Sequence, residues 1–462
     1  MKKIVFFLVG ICLFTSCSEF LTQEPSTSLT TETAIKTTDD LANAVNGVYY
    51  TLTEDEGSYG TELVLYGDMM GGDFDFIGNN NHGPTQIAMR QLIAKETLTM
   101  SFYTVPYYAL ARLNHVLSVA GSMDEDVDSY IAELYALRGL LHFDISKVFA
   151  PLPTSGSTNT MGIVLSDQVF DISYIGARAS LDDTYEQIVS DLTTAIDMGV
   201  NKETNYGHMN YWAALGLRAR AYLYMGEYEK ALADCDSIIA ESPYTLYTIA
   251  NYTSVWSTTA SSESMFEIIM TDNYNGQRYS PGYYCSASGY AECAATDAFR
   301  AFLQSDSNDV RSQMVAYEED ADGNYGGYYP QKYPGQAGAS IPLYVNNAKV
   351  IRLSEIYLIA AEAALKSKTA ADAAGYINTL RKNRITGYTD VATVTLTDIL
   401  NERRKELFAE GHGALDFWRN KLDVQTVRVG TVTAVDSTKT ILPIPQDEID
   451  LSGGILVQNP GF

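Results

Sequence analysis

The sequence predicts a mostly α-helical protein in which tetratricopeptide-like helix pairs form a scaffold for a loop-rich, mixed lobe carrying short strands. Three observations predict it. Long stretches repeat apolar residues at the three-to-four spacing of one helix face. The segment LRARAYLYMGEYEKALADCDSII has the spacing of a tetratricopeptide hairpin. Residues 245–349 lack helical period, and segments of that kind hold many of the chain's 33 tyrosines.

After a polar, Thr-rich leader, Asp39 and Asp40 cap a first helix in which Leu41, Val45, Val48 and Leu52 recur at helical spacing. The stretch YGDMMGGDFDFIGNNNHGP, rich in Gly, Asp and Asn, fits neither helix nor strand. Two strong helices follow, over Phe102 to Ala120 and Val127 to Phe149, the second ending at Pro151 and Pro153. Another begins at Leu181, with Asp182 and Asp183 placed to favour the dipole of its first turn. Met209 to Met225 and Tyr228 to Ala240 make the hairpin. Ala219, Tyr222 and Leu223 face Tyr228, Ala231 and Leu232 across the turn at Gly226, and the small alanines allow close approach. Helices resume at Leu353 to Ser367, Ala370 to Arg384 and Leu396 to Glu410. The pairs are irregularly spaced and interrupted by about 100 residues of non-helical chain, which points to a curved scaffold rather than a regular solenoid.

The N-terminus MKKIVFFLVGICLFTSC joins two lysines, an apolar run from Ile4 to Phe14 and a cysteine after small residues. The run is shorter than the ~20 residues a membrane helix needs. This pattern predicts a lipoprotein signal peptide over 1–16, a lipid anchor on Cys17 and a lipid-anchored leader over 17–38. Residues 39–462 then form one domain: a helical scaffold over 39–244 and 350–420, a lobe over 245–349, and a C-terminal motif over 441–462. A formal charge of -26 disfavours nucleic acid and anionic lipid as direct partners. Beyond Cys12 and Cys17, only Cys235, Cys285 and Cys293 remain, without CxxC spacing or neighbouring His pairs, which argues against a zinc site and a disulfide framework. A single bridge between Cys285 and Cys293 stays open for a chain outside the cytoplasm.

Several motifs, in order, resemble the SusD/RagB family of outer-membrane nutrient-binding lipoproteins. They are CSEFLTQEPST after the lipid cysteine, LRGLLHFDISKVFAPLP with Ala150 where the family usually has Gly, RLSEIYLIAAEAAL, INTLRKNR, ILNERRKELFAEGHGALDFWR and ILPIPQDEIDLSGGILVQNPGF. The resemblance covers essentially the whole chain after the signal. It implies a protein anchored to the outer membrane and facing outward, without catalytic chemistry or a cofactor. In that role it lies as a lid on a SusC-like, TonB-dependent transporter, captures an oligosaccharide and delivers it.

The C-terminal motifs read as scaffold. In NERRKELFAEGHGALDFWR, Glu406, Glu410, Arg404 and Arg419 are placed to form a buried ionic network, and His412 follows the Gly411 that stops the helix. An enzymatic reading would take Glu410, His412 and Asp416 as its cluster, but the neighbouring arginines would neutralise the carboxylates and no nucleophile accompanies them. The segment Asp320 to Gly327 alternates oxygen ligands yet lacks the sixth-position Gly and twelfth-position Glu of an EF-hand, so a turn between strands is expected.

Function then falls to two loops, which the resemblance places at the ligand surface. The first, Asp68 to His82, offers Asp73, Asp75, Phe74, Phe76, Asn79, Asn80 and Asn81; the second, Thr271 to Glu292, offers Asn273, Tyr274, Arg278, Tyr279, Tyr283, Tyr284 and Tyr290. Aromatic faces cover the C–H side of a sugar ring, and Asn, Asp and Arg bond adjacent hydroxyls. Tyr325, Tyr328, Tyr329 and Tyr333 read equally as hairpin packing or an interface. Trp212 and Trp418 sit in helices, leaving only Trp256 near a loop, so starch is not the expected ligand. Two alternatives stay open: a peptide-capturing lid of a peptide importer, and a surface glycoside hydrolase using Asp73 with Asp75.

Overall fold

The chain makes its longest departure from one stack of helices between two helices that pack on each other. The computed structural model describes residues 34–462 apart from 55–56, 77–82, 91, 205–206, 429–430 and 435–438. The longer helices are α1 (Thr38–Glu54), α2 (Thr97–Ala120), α3 (Asp128–Phe149), α4 (Leu181–Asp197), α5 (Tyr211–Met225), α6 (Tyr228–Glu241), α7 (Leu353–Ser367), α8 (Ala370–Lys382), α9 (Leu396–Leu407) and the short α10 (Gly413–Trp418). From α1 to α8 each packs on the next, and α7 continues the stack on α6 although 111 residues of chain, 242 to 352, lie between them. The stack is therefore continuous in space where it is interrupted in sequence. Among the described residues no helix is long and apolar enough to cross a membrane.

Caps written in the sequence start these helices. Ser180 accepts from the Asp183 N–H at 3.0 Å, Asn210 from Trp212 and Ala213 at 3.1 Å each, and Thr395 forms a reciprocal capping box with Asp398. Gly226 closes α5 at φ 79°, the left-handed conformation that makes the α5–α6 turn tight. Helix α2 starts at Thr97, ahead of the expected Phe102, because Glu96 caps it by accepting from Thr99; Pro106 is absorbed inside it.

The strands are short and pair antiparallel. They are β1 (Phe74–Asp75), β2 (Ser264–Ile268), β3 (Ala294–Ala295), β4 (Val315–Glu318), β5 (Gly327–Pro330), β6 (Ala348–Arg352), β7 (Gln425–Arg428) and β8 (Thr431–Ala434), joined as β1–β3, β2–β6, β4–β5 and β7–β8. The β2–β6 pair is a stem: it encloses the part of the lobe between Ile268 and Ala348, and its last residue, Arg352, leads into α7. The β4–β5 hairpin encloses Asp320 to Gly327, as expected of a turn. The β1–β3 ladder, Phe74 opposite Ala295 and Asp75 opposite Ala294, ties the first candidate loop to the second.

Helix α9 ends at Leu407, one turn before the expected Glu410. Phe408 leaves at ψ 147°, and Ala409 turns left-handed at φ 56°. The reason is tertiary: the buried Asp68 carboxylate accepts from the N–H groups of Ala409, at 3.0 Å, and Gly411, at 2.6 Å, while the Lys332 ammonium donates to the Glu406 carbonyl at 2.8 Å. These partners satisfy the last turn better than helix continuation would.

Beneath the lobe lies the ionic network, with a different membership from the expected one. Glu406 is bonded by Arg384 at 2.9 Å, Arg352 at 3.2 Å and Arg311 at 3.2 Å, all fully buried. Arg352 also reaches Glu410 at 2.8 Å, and Arg384 reaches Glu263 at 2.9 Å. Burial alone would raise the Glu406 pKa, but the three guanidiniums outweigh it and hold the carboxyl far below its usual range. Arg419 belongs instead to a separate cluster with Glu362 and Asp416, and Arg404 points out to Asp73.

Candidate functional site

The second loop is built by a short, well-capped turn. Ser280 caps Pro281–Tyr284 by accepting from the Tyr283 N–H at 3.2 Å, and Pro281 occupies the first helical position, where a missing N–H costs nothing. The Ser280 hydroxyl donates to the Leu343 carbonyl at 2.6 Å. Gly282 permits this docking, since a Cβ there would lie 2.5 Å from that carbonyl and 2.4 Å from Asn346. One turn of helix thus sends Tyr283 outward and Tyr284 inward.

Around Tyr283 the lobe gathers rings from three stretches of chain. Tyr283 meets Tyr290 edge to face at 4.9 Å between centroids and Tyr344 at 5.7 Å. The exposed Arg278 bonds the Tyr344 side chain and lies close to Tyr283 and Tyr290, and Tyr279 is 44% exposed beside it. Gln277 is held at φ 50°, an uncommon conformation for a residue other than Gly, immediately before this arginine. A second contact joins lobe to scaffold: Tyr274 sits against Tyr50 of α1 at 3.8 Å. Gly276 approaches Gly60 so closely that a Cβ would lie 2.1 Å from its carbonyl oxygen, which seats the loop on the turn after α1. Asp272 accepts from the Ser340 N–H at 2.8 Å, fastening the neighbouring strap.

Of the residues expected to bind ligand, the structure brings the exposed Arg278 and Tyr279 together with the half-buried Tyr283 and Tyr290, and leaves Asn273 and Tyr274 exposed. Three expectations are corrected. Tyr284 is 1% exposed and donates to Glu62 at 2.7 Å, so it holds the loop down. Phe76 is equally buried, in the core under β1. Asp73 is gripped by Arg404 through Nε at 2.8 and 2.7 Å, which occupies its carboxylate and removes it from a hydrolytic pair with the partly buried Asp75. Asn79, Asn80, Asn81 and Cys17 lie outside the described residues. Sequence reasoning missed Tyr344 and Tyr50. The first sits in the aperiodic SIPLYVNN stretch, whose composition was a usable signal; the second gives none, being one of two adjacent tyrosines in an ordinary helix.

The carboxylates of the C-terminal cluster are ion-paired and its imidazole is neutral. Asp416 is held by Arg403 at 2.7 Å and Glu410 by Arg352, and burial followed by Arg220 and Arg403 keeps His412 neutral, its pKa well below 6.5. All three tryptophans, Trp212, Trp256 and Trp418, are buried, so none presents a face to a sugar.

The stack with its inserted, stem-borne lobe defines a class of helical-repeat scaffold carrying a loop surface, and comparison with known proteins narrows it. Residues 224–462 match the model of the SusD family, and residues 19–223 match one described as starch-binding associating with outer membrane. The chain belongs to the SusD family. A SusD-like protein of Formosa agariphila is 23% identical over the whole of both chains. A SusD superfamily crystal structure from Bacteroides thetaiotaomicron aligns with a TM-score of 0.83 at 29% identity, over 92% of this chain and 100% of that one. The surface glycan-binding protein A of Bacteroides thetaiotaomicron, solved with laminarihexaose, shares the fold at 22% identity and a TM-score of 0.75, over 92% and 100% of the two chains.

Proposed function

We propose that this chain is a surface-exposed glycan-binding lipoprotein, anchored through Cys17 to the outer membrane, that captures an oligosaccharide and delivers it to a TonB-dependent transporter. The observation that carries the reading is the cluster in which the exposed Arg278 and Tyr279 meet the half-buried rings of Tyr283, Tyr290 and Tyr344. Tyrosine faces and edges pack against the C–H surface of a pyranose, and a guanidinium bonds two neighbouring hydroxyls through its fork. An open platform of this kind suits a chain of sugars better than a peptide, which calls for an enclosed groove that pairs its backbone. The family membership and the glycan named in one relative's structure support the same ligand class. The absence of an exposed tryptophan supports a ligand other than starch.

The reaction at this surface is binding alone. Asp73 is ion-paired, and Glu410 and Asp416 are engaged with the scaffold, so none of these three is free to act as a hydrolytic acid or base. Calorimetry of the protein against laminarin oligosaccharides, starch, host and plant glycans and a peptide mixture tests the reading. Retention of one glycan class, weakened by Tyr283→Ala, is the expected result. Capture of peptides with silence on every glycan would overturn it.

A further inference from the structure

The second loop holds two thiols against each other. The Tyr284 carbonyl accepts from the N–H groups of both Glu292, at 3.1 Å, and Cys293, at 3.0 Å, folding the chain back so that Cys293 faces Cys285. Tyr290 closes the same turn by donating from its N–H to the Tyr283 carbonyl at 2.8 Å. Both cysteines are free thiols, 3% and 0% exposed, and each lies close enough to the other to be felt electrostatically. Tyr329 and Tyr333 lie near both sulfurs, and Cys235 is remote from them, in α6. The fold therefore apposes one pair of cysteines and leaves the third alone.

We infer that Cys285 and Cys293 are the reduced form of a structural disulfide that staples the binding loop. The inference rests on the envelope location proposed above only for its oxidant, a small-molecule or protein disulfide. One thiolate attacks a sulfur of that oxidant, giving a mixed disulfide and releasing one thiol. The second thiolate attacks the protein sulfur of the mixed disulfide, forming the Cys285–Cys293 bond and releasing the second thiol; the two protons pass to the released thiols and the two electrons to the oxidant. Because the folded loop covers both sulfurs, oxidation belongs to folding, before Tyr329 and Tyr333 pack near them. The bond closes a ring of about nine residues. Its ends flank Ser286 to Glu292, so it fixes Tyr290 relative to Tyr283 and prepares the aromatic surface before ligand arrives.

Trypsin supplies a direct test, since both cysteines fall in one peptide, Tyr279 to Arg300. The full chain is isolated from cell envelopes, denatured, alkylated without reductant, digested and weighed. The same measurement is made on protein refolded in a glutathione redox buffer. A bridged peptide resists alkylation and lacks two hydrogens, whereas a reduced one carries two alkyl groups; Cys235 reports complete alkylation in either case. Bridging in both samples supports the inference. Bridging only after refolding also supports the apposition and sinks the envelope location instead. Alkylation of both cysteines in both samples overturns the disulfide. Reductant is expected to lower the melting temperature of the bridged protein and leave a Cys285→Ala, Cys293→Ala variant unmoved; an equal shift in both would count against the staple.

Discussion

Arg404 of α9 closes on Asp73, its Nε lying 2.8 and 2.7 Å from the two carboxylate oxygens. The pair joins the end of the scaffold to the chain entering β1, and through the β1–β3 ladder to the second loop. Both side chains are partly shielded, 25% and 15% exposed, so the expected contribution is about 1 kcal/mol. Arg404→Ala should therefore leave the fold intact while loosening β1. Hydrogen exchange at Phe74 and Asp75 is the readout, and protection equal to the parent would refute the link.

Removal of Glu406 should be far more costly. It faces three buried guanidiniums, and Glu406→Gln leaves them short of a counter-charge in a site closed to water. The expected loss is about 3–5 kcal/mol, the range for breaking a buried ionic cluster by one partner. Urea unfolding measures it. A loss near zero would mean that the arginines find other carboxylates, Glu263 foremost.

Adjacent tyrosines should separate binding from stability. Tyr283→Ala removes a half-buried ring of the cluster, and should weaken glycan affinity about tenfold, or ~1.4 kcal/mol, with a smaller effect on unfolding. Tyr284→Phe removes the hydroxyl bonded to Glu62 and should lower stability by about 1–3 kcal/mol. Titration and chemical denaturation of the two variants distinguish the roles; reversed outcomes would place the ligand on the other face of the turn.

A pH response is expected from His208, whose Nδ1 lies 2.7 Å from Glu133. Burial disfavours its charged form, but the hydrogen bond and the charge of Glu133 prevail, so its pKa is raised above 6.5. Since the folded value exceeds the unfolded one, the pair's stabilisation is complete below 6.5 and is lost as pH rises through the raised value. Melting temperatures across that window should fall more steeply for the parent than for His208→Gln. Parallel curves would remove His208 from the account.

The helices were legible because their information is local. Apolar spacing located α3, α5, α6 and α7, and Ser180 or Thr395 marked where a helix begins. The end of α9 was not legible, since the group that captures its last N–H groups, Asp68, lies 341 residues from Ala409. The continuity of the stack from α6 to α7 is hidden in the same way by the lobe between them. Within the candidate site, composition pointed to the loop that carries the ring cluster but could not separate Tyr283 from Tyr284. A cap at Ser280 and the close approach at Gly282 decide which ring faces water, and neither leaves a periodic signature. Asp73 was misread for a similar reason, because its partner Arg404 arrives from the far end of the chain.

The two-stranded stem carries a consequence for how such a protein changes over time. Because β2 and β6 pair side by side, the chain between Ile268 and Ala348 is a loop closed at its stem. Closing a longer loop costs little more than closing a shorter one, about 0.6 kcal/mol per doubling of length. Residues between the strands that do not touch Tyr50, Glu62 or Glu406 are thus free to lengthen, shorten or exchange their rings without disturbing the helices. Ligand preference can diversify at one end of the molecule while the shape offered to everything else is inherited unchanged.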